Sequence, residues 1–184
     1  MSDHDVPQVV FDESSATRIF PRPELKNAAL VTIPMAEGGH EIPTFISPEW
    51  GGVQVFYGSY YAIIVDGAVA YGSAREQWEL MHTNMKPGWW VKTGVPTAYQ
   101  ATERCRIMTL IPTEDGNVRE ANYTLDPGDW IVRQPGGEVQ HIKNQKFEAI
   151  YYTEDEVLEL GLNTMTTEEF AQWAVSRAGS LLSV

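Results

Sequence analysis

Residues 60–71 read Tyr-Tyr-Ala-Ile-Ile-Val-Asp-Gly-Ala-Val-Ala-Tyr, two β-prone runs separated by Asp66-Gly67. A two-residue connection closes a hairpin only where its central residues accept positive φ, which Asp-Gly does. Antiparallel strands therefore organise the fold, and a helical bundle or a doubly wound parallel sheet is disfavoured. Directly afterwards, Ser73-Ala74-Arg75-Glu76 has the form of a capping box. There Ser73 and Glu76 would satisfy each other's free backbone amides, so the pattern predicts a helix that starts at Ser73 and stops before Pro87. Gln77, Trp78, Met81 and His82 would share one face of it.

The same plan recurs downstream. Residues 130–151 run from an aromatic strand at Trp130, through a Gly136-Gly137 turn and a strand containing Val139, to a helix containing Phe147-Glu148. With one residue of slack this superimposes on residues 61–82, where Trp78-Glu79 holds the corresponding place. Duplication and convergence on a common supersecondary unit both produce such a match. A shorter repeat, Pro-Gly-x-Trp-aliphatic, places Pro87-Gly88 and Pro127-Gly128 at two turns that each feed a strand.

Around this centre the remaining signals are simpler. Residues 1–27 hold Pro7, Pro21 and Pro23 among Asp3, Asp5, Asp12 and Glu13, without helix or strand periodicity, and read as an extended arm. Its apolar residues Val9, Val10, Phe11, Ile19 and Phe20 leave two alternatives open, a free tail or an arm docked on this chain or a partner. Ala29–Ile33 and Ile42–Ile46, separated by a Glu37–His40 turn, read as edge strands. Tyr99–Ala101 and Arg106–Ile111 are further strand material before an Asp115-Gly116-Asn117 turn. Thr153–Glu156 is a capping box for a helix that Gly161 stops. Thr166–Glu169 opens another, with Phe170, Trp173, Ala174 and Arg177 on one face and Gly179 at its end. Phe170 and Trp173 either pack on the sheet or make a helical dimer contact. The expectation is an α+β protein with a mostly antiparallel sheet, two β-hairpin-plus-helix units and C-terminal helices. It is divided into the 1–27 arm and one domain over 28–184, whose C-terminal helices occupy 153–184.

The segment Pro127-Gly128-Asp129-Trp130-Ile131-Val132, continuing through Gly137-Glu138 and Lys143 to Phe147-Glu148-Ala149-Ile150-Tyr151, resembles the PGDYG protein family of bacteria and their phages. In that family a Pro-Gly-Asp-aromatic turn enters a strand, a Gly-Glu turn follows, and a Phe and a Tyr close the segment. Upstream, Lys92, Pro96, Tyr99, Gln100 and Ala101 resemble the short strand that often precedes it. The resemblance covers residues 92–152, with Trp130 standing where the family name has Tyr, and the N-terminal half has no counterpart. It implies a phage or prophage setting and an accessory role, and assigns no catalytic residue.

Charge and motif content narrow the chemistry. Thirteen Lys and Arg against 25 Asp and Glu give a net charge of −12, which opposes direct binding to nucleic acid or to an anionic membrane surface. No run of about 18 apolar residues and no signal-peptide pattern is present, so no membrane partner is expected. The single cysteine, Cys105, cannot form an intrachain disulfide and points to the cytoplasm, of a bacterial host if the chain is phage-encoded. His4, His40, His82 and His141 lack metal-ligand spacing, and the chain has no Walker loop, dinucleotide fingerprint or nucleophile elbow. Neither a metal nor a cofactor is expected, and His141 reads as an outward strand residue. Cys105 lies between Arg104 and Arg106, two cations able to lower a thiol pKa, but alternation in Cys105–Leu110 also fits a strand with one buried face.

The constellation that carries most chemistry is aromatic and basic: Trp89, Trp90, Lys92, Tyr99, Gln100, Trp130, Arg133 and Lys143. Aromatic plates beside a cation suit a nucleobase and a phosphate, whereas the same tryptophans packed inward would be core. Three functions compete. The first is a non-catalytic accessory protein binding a small, nucleotide-like ligand in that pocket. The second is an acidic protein that blocks a host or phage protein. The third is an enzyme whose site is assembled from scattered residues. A homo-oligomer through the arm or the last helix is compatible with each.

Overall fold

Both central residues of the Asp66-Gly67 turn adopt positive φ, 50° and 80°, and the hairpin forms around them, with a register shift between Ile63 and Ile64. A computed structural model of the chain describes residues 6–39, 42–48, 52–113 and 116–181. Asp3, His4, Asp5, His40 and Asp115, named above, lie outside the described residues. In order, the elements are β1 (Gln8–Val9), β2 (Thr17–Arg18), β3 (Leu25–Val31), β4 (Thr44–Ile46), β5 (Gln54–Phe56), β6 (Tyr60–Val65), β7 (Ala68–Ala74), α1 (Arg75–Met81), β8 (His82–Lys86) and β9 (Trp89–Lys92). There follow β10 (Thr97–Gln100), β11 (Cys105–Thr113), β12 (Gly116–Leu125), β13 (Trp130–Arg133), β14 (Val139–Ile142), α2 (Asn144–Ile150), α3 (Glu154–Glu159), a 3-10 turn (Leu162–Thr164) and α4 (Thr167–Leu181). The protein is α+β, its sheets are mostly antiparallel, and helices close the chain.

The backbone divides into two compact units, and not at residue 27. The first unit takes residues 1–22 and 93–172, the second 23–92 and 173–184. The first holds the antiparallel sheet β14-β13-β10-β2 and the sheet β1-β11-β12, in which β1 runs parallel to β11. Arm residues thus supply strands to both sheets, and Val6, Ile19 and Phe20 are buried. The arm is docked on its own chain because its apolar pairs find a core there. Alternation along β13 serves two clusters. Ile131 meets Cys105, Ile107 and Leu125 on one face, and Val132 meets Ala98, Phe147 and Tyr151 on the other.

The second unit holds the antiparallel sheet β7-β6-β3-β9-β8 and the ribbon β4-β5. The ribbon lies on β7 at Gly72, where an added Cβ would come within 2.5 Å of the Phe56 ring, and the Gln54 amide bonds both the N–H and the carbonyl of Gly72. Ala28, Tyr61, Ile63 and Trp78 form this unit's aromatic core.

Both hairpin-plus-helix units form, β6-β7-α1 and β13-β14-α2. The second hairpin closes with Gly137 N–H donating to Gln134 and Gln134 N–H donating to Glu138, both at 2.8 Å, and Gly137 at φ 86°. That pattern is a three-residue loop ending in a left-handed residue. The Ser73 capping box does not form. Ser73 and Ala74 stay in β7 opposite Tyr61 and Tyr60, so the ladder takes the backbone that the cap required and α1 starts at Arg75 with no side-chain cap. The helix also ends at Met81, well short of Pro87, because residues 82–86 pair with β9 across the Pro87-Gly88 turn. His82 therefore leaves the predicted helical face.

At the C-terminus, Thr153 and Glu156 make the full capping box and Gly161 is left-handed at φ 68°. Thr166 and Glu169 cap α4 in the same way. Gly179 does not end α4, which continues to Leu181 with Phe170, Ala174 and Ala178 as its buried stripe. Without a positive φ, Gly179 is simply a helical residue.

Candidate functional site

The site is built on β10, a four-residue strand whose alternate side chains face opposite sides of its sheet. Ala98 and Gln100 share the face of their cross-strand partners Val132 and Trp130, whereas Tyr99 points with Ile131 toward the Cys105 cluster. Three side chains then lock one another. Asn144, the first residue of α2, accepts a hydrogen bond from Trp130 Nε1 at 2.9 Å and another from Gln100 Nε2 at 3.3 Å. Gln100 Nε2 also lies 3.0 Å from the Gly128 carbonyl. The Trp130 ring stacks on Phe147 at 3.8 Å and 6°. On the opposite face, the Tyr99 hydroxyl donates to the Val10 carbonyl at 3.3 Å and accepts from the Asp12 amide at 3.4 Å, and Phe11 packs on its ring. Burial pushes the Tyr99 hydroxyl above its ordinary pKa.

These residues open into a cleft of about 460 Å³. One wall comes from the arm, through Val9, Ser15 and Thr17, and another from Thr102, Glu103 and Cys105 after β10. Tyr99, Gln100 and Trp130 form the floor between them. Glu103 is the one charged side chain among the described residues that line it.

Of the eight residues singled out from sequence, Tyr99, Gln100 and Trp130 meet here. Arg133 belongs to the same unit but pairs with Glu13, its guanidinium 5.8 Å from the Phe11 ring centroid. Lys143 Nζ lies 2.7 Å from Asp129 and 3.5 Å from Asp126. Trp89, Trp90 and Lys92 belong to the second unit. There Trp90 packs edge-on to Tyr61 and Trp78, Trp89 lies near Lys86 Nζ, and Lys92 stands across from His82. Nothing in the sequence marks the arm residues or Asn144 as part of the site, since their role depends on where the arm docks.

Asp129 anchors the Pro-Gly-Asp turn and is nearly buried. Burial alone would raise its pKa, but hydrogen bonds from Lys143, the Asp126 amide and His141 outweigh that and hold it at about 2. His141 is a correction to the outward reading: its Nε2 lies 3.2 Å from Asp129, its side chain is 12% exposed, and Tyr123 packs beside it. Cys105 follows the buried-face reading. Burial, then Glu103 and Asp129, push its thiol above the ordinary value. Arg104 instead lies 3.9 Å from Asp126, and Arg106 Nε donates to the Val6 carbonyl. Among the described residues no group of three or more His, Cys, Asp and Glu is placed to hold a metal ion, and no helix is long and apolar enough to cross a membrane.

Compared with family models, with curated proteins and with solved structures, the chain finds no match in any of the three.

Proposed function

We propose that this chain is a non-catalytic accessory protein whose ligand seats in the cleft along β10. The observation that carries this is convergence: the adjacent Tyr99 and Gln100 of β10, together with Trp130 of β13, floor one cleft whose volume suits a small ligand. Asn144 holds both Gln100 and Trp130, and the arm at Val10 and Asp12 holds Tyr99, so these side chains are positioned before any ligand arrives, which lowers the ordering cost of binding. The aromatic half of a nucleotide-like site is supported by Tyr99 and Trp130. The basic half is not, because Arg133 and Lys143 are engaged with carboxylates. The ligand is accordingly neutral or cationic rather than a phosphate ester. The likeness of residues 92–152 to the PGDYG family supports a bacterial or phage setting, and the lone thiol a cytoplasmic one.

A heat-shift screen with nucleosides, nucleotides and short peptides tests this. A ligand of the folded state raises the melting temperature in proportion to its occupancy. Neutral or cationic compounds should stabilise the protein and anionic nucleotides should not. Tyr99→Ala should abolish the shift, and Trp89→Ala should leave it intact. A shift lost in Trp89→Ala but retained in Tyr99→Ala would move the site to the second unit.

A second reading, attachment to a basic partner, is favoured by the charge distribution. The first unit carries eighteen Asp and Glu against eight Lys and Arg, the second seven against five.

A further inference from the structure

We infer that the cleft takes an extended peptide bearing a lysine or arginine, added as a short strand to the open edge of β10; this rests on the cleft being the binding site. In a strand, successive residues direct their main-chain groups to opposite edges. Ala101 N–H donates to the Asp129 carbonyl and the Ala101 carbonyl accepts from Gly128, both at 2.8 Å, so Ala101 and Tyr99 face β13. The Pro96 carbonyl accepts from Ile19 N–H at 2.9 Å, which places Pro96, Ala98 and Gln100 on the other edge. There β2 covers only Thr97 and Ala98, because the arm turns away at Ala16, whose N–H bonds back to Glu13. Gln100, on the same edge and lining the cleft, lies beyond the two residues that β2 pairs, so its N–H and carbonyl stand outside the β2–β10 ladder.

A donor and an acceptor on one open strand edge are what an added strand pairs with. Alternate side chains of that strand would meet Tyr99 on one face of the sheet and Trp130 on the other. Charge complementarity selects the peptide. Glu103 is the charged group at the cleft, and the surrounding unit holds eighteen acidic against eight basic residues. That field concentrates cationic segments and repels anionic ones.

The test titrates the full chain with Ac-Thr-Val-Lys-Val-Thr-NH2 to millimolar concentration, followed by tryptophan fluorescence. Parallel titrations use the same peptide with Glu in place of Lys, a version N-methylated at its three central residues, and adenosine. The Lys peptide should saturate. The Glu peptide should bind about tenfold more weakly, the worth of one charge contact. The N-methylated peptide should not bind, since it cannot donate to the Gln100 carbonyl. In the protein, Glu103→Gln should weaken the Lys peptide and not the Glu peptide. Equal binding of the N-methylated or the Glu peptide overturns the inference. Saturation by adenosine without any peptide binding overturns it while leaving the cleft as the binding site, and silence from every probe removes both.

Discussion

The two hairpin-plus-helix segments follow one local plan and enclose different things. In each, a seven-residue helix without a side-chain cap buries the aromatic at its fourth position, Trp78 in α1 and Phe147 in α2. In each, the residue after the helix, His82 or Tyr151, returns its N–H to the carbonyl of that aromatic. Each aromatic also has a flat-stacked partner: Trp78 on His82 at 3.7 Å and 11°, Phe147 on Trp130 at 3.8 Å and 6°. The difference lies in the partner. His82 is buried, and Trp78 Nε1 has no hydrogen-bond partner among the described residues, so the first stack is sealed. Trp130 is only half-buried, its indole N–H is held by Asn144, and it looks onto the cleft. The same arrangement makes closed core in one unit and a cleft-lining surface in the other.

The largest effect expected follows from that contrast. Trp78→Ala removes a fully buried ring and should cost about 3–5 kcal/mol, enough to abolish the cooperative melt of a marginal unit. Trp130→Ala should cost distinctly less and leave a folded protein with impaired binding. Near-UV circular dichroism against temperature separates the two, and equal loss in both variants would make Trp130 core and break the comparison.

Acid should discriminate the units next. Burial, reinforced by the Lys92 charge, lowers His82 to about 3, against a hydrogen bond to the Trp78 carbonyl that works the other way. A depressed folded pKa stabilises above the ordinary value and is lost as pH falls below it. The second unit should therefore lose stability from pH 6.5 downward, about 2–3 kcal/mol by pH 4.5. For Asp129, also depressed, the stabilisation is present above about 3.8 and disappears as pH falls toward 2, with at most about 2 kcal/mol at stake. Hydrogen exchange read peptide by peptide at pH 4.5 should show protection lost around His82 and retained around Asp129. His82→Phe should flatten the profile between pH 6.5 and 4.

What could be read beforehand follows the range of the forces involved. Asp66-Gly67, Thr153–Glu156 and Gly161 work within a few residues, and each took the conformation its chemistry favours. Ser73 failed because a ladder with Tyr61, twelve residues away, claimed its backbone. The site was legible only in its floor. Tyr99, Gln100 and Trp130 are aromatic or polar residues on strands, but Ser15 and Thr17 reach the cleft through arm docking, which no local pattern encodes. Arg133 and Lys143 misled because sequence shows a cation without showing that Glu13 or Asp129 neutralises it.

Two glycines sharpen the comparison at a smaller scale. Gly128 has φ 93° with nothing within 4 Å of an added Cβ, so Gly128→Ala meets backbone strain alone, about 1 kcal/mol. Gly72 has no such φ but abuts the Phe56 ring, so Gly72→Ala overpacks the ribbon contact and should cost about 1–3 kcal/mol. Chemical denaturation that ranks the two the other way round would mean the Phe56 ring yields freely.

The smallest stability effect should accompany a functional one. Asn144 and Arg75 hold equivalent first positions in α2 and α1, yet Arg75 Nε meets Glu79 at 3.0 Å on the surface, whereas Asn144 Oδ1 accepts from both Trp130 and Gln100. Asn144 is exposed, so in Asn144→Ala the two freed donors turn to water and the fold should lose only about 0.5–1 kcal/mol. Orientation suffers more, because the indole and the amide that floor the cleft are no longer tied to one acceptor. Affinity for whichever probe saturates the cleft should fall several-fold. Arg75→Ala, which removes an exposed pair worth less than about 1 kcal/mol, should leave affinity unchanged. Titrations of both variants beside their denaturation curves give the answer: unaltered affinity in Asn144→Ala would mean that stacking of Trp130 on Phe147 and the Gln100 bond to the Gly128 carbonyl hold the two side chains without Asn144.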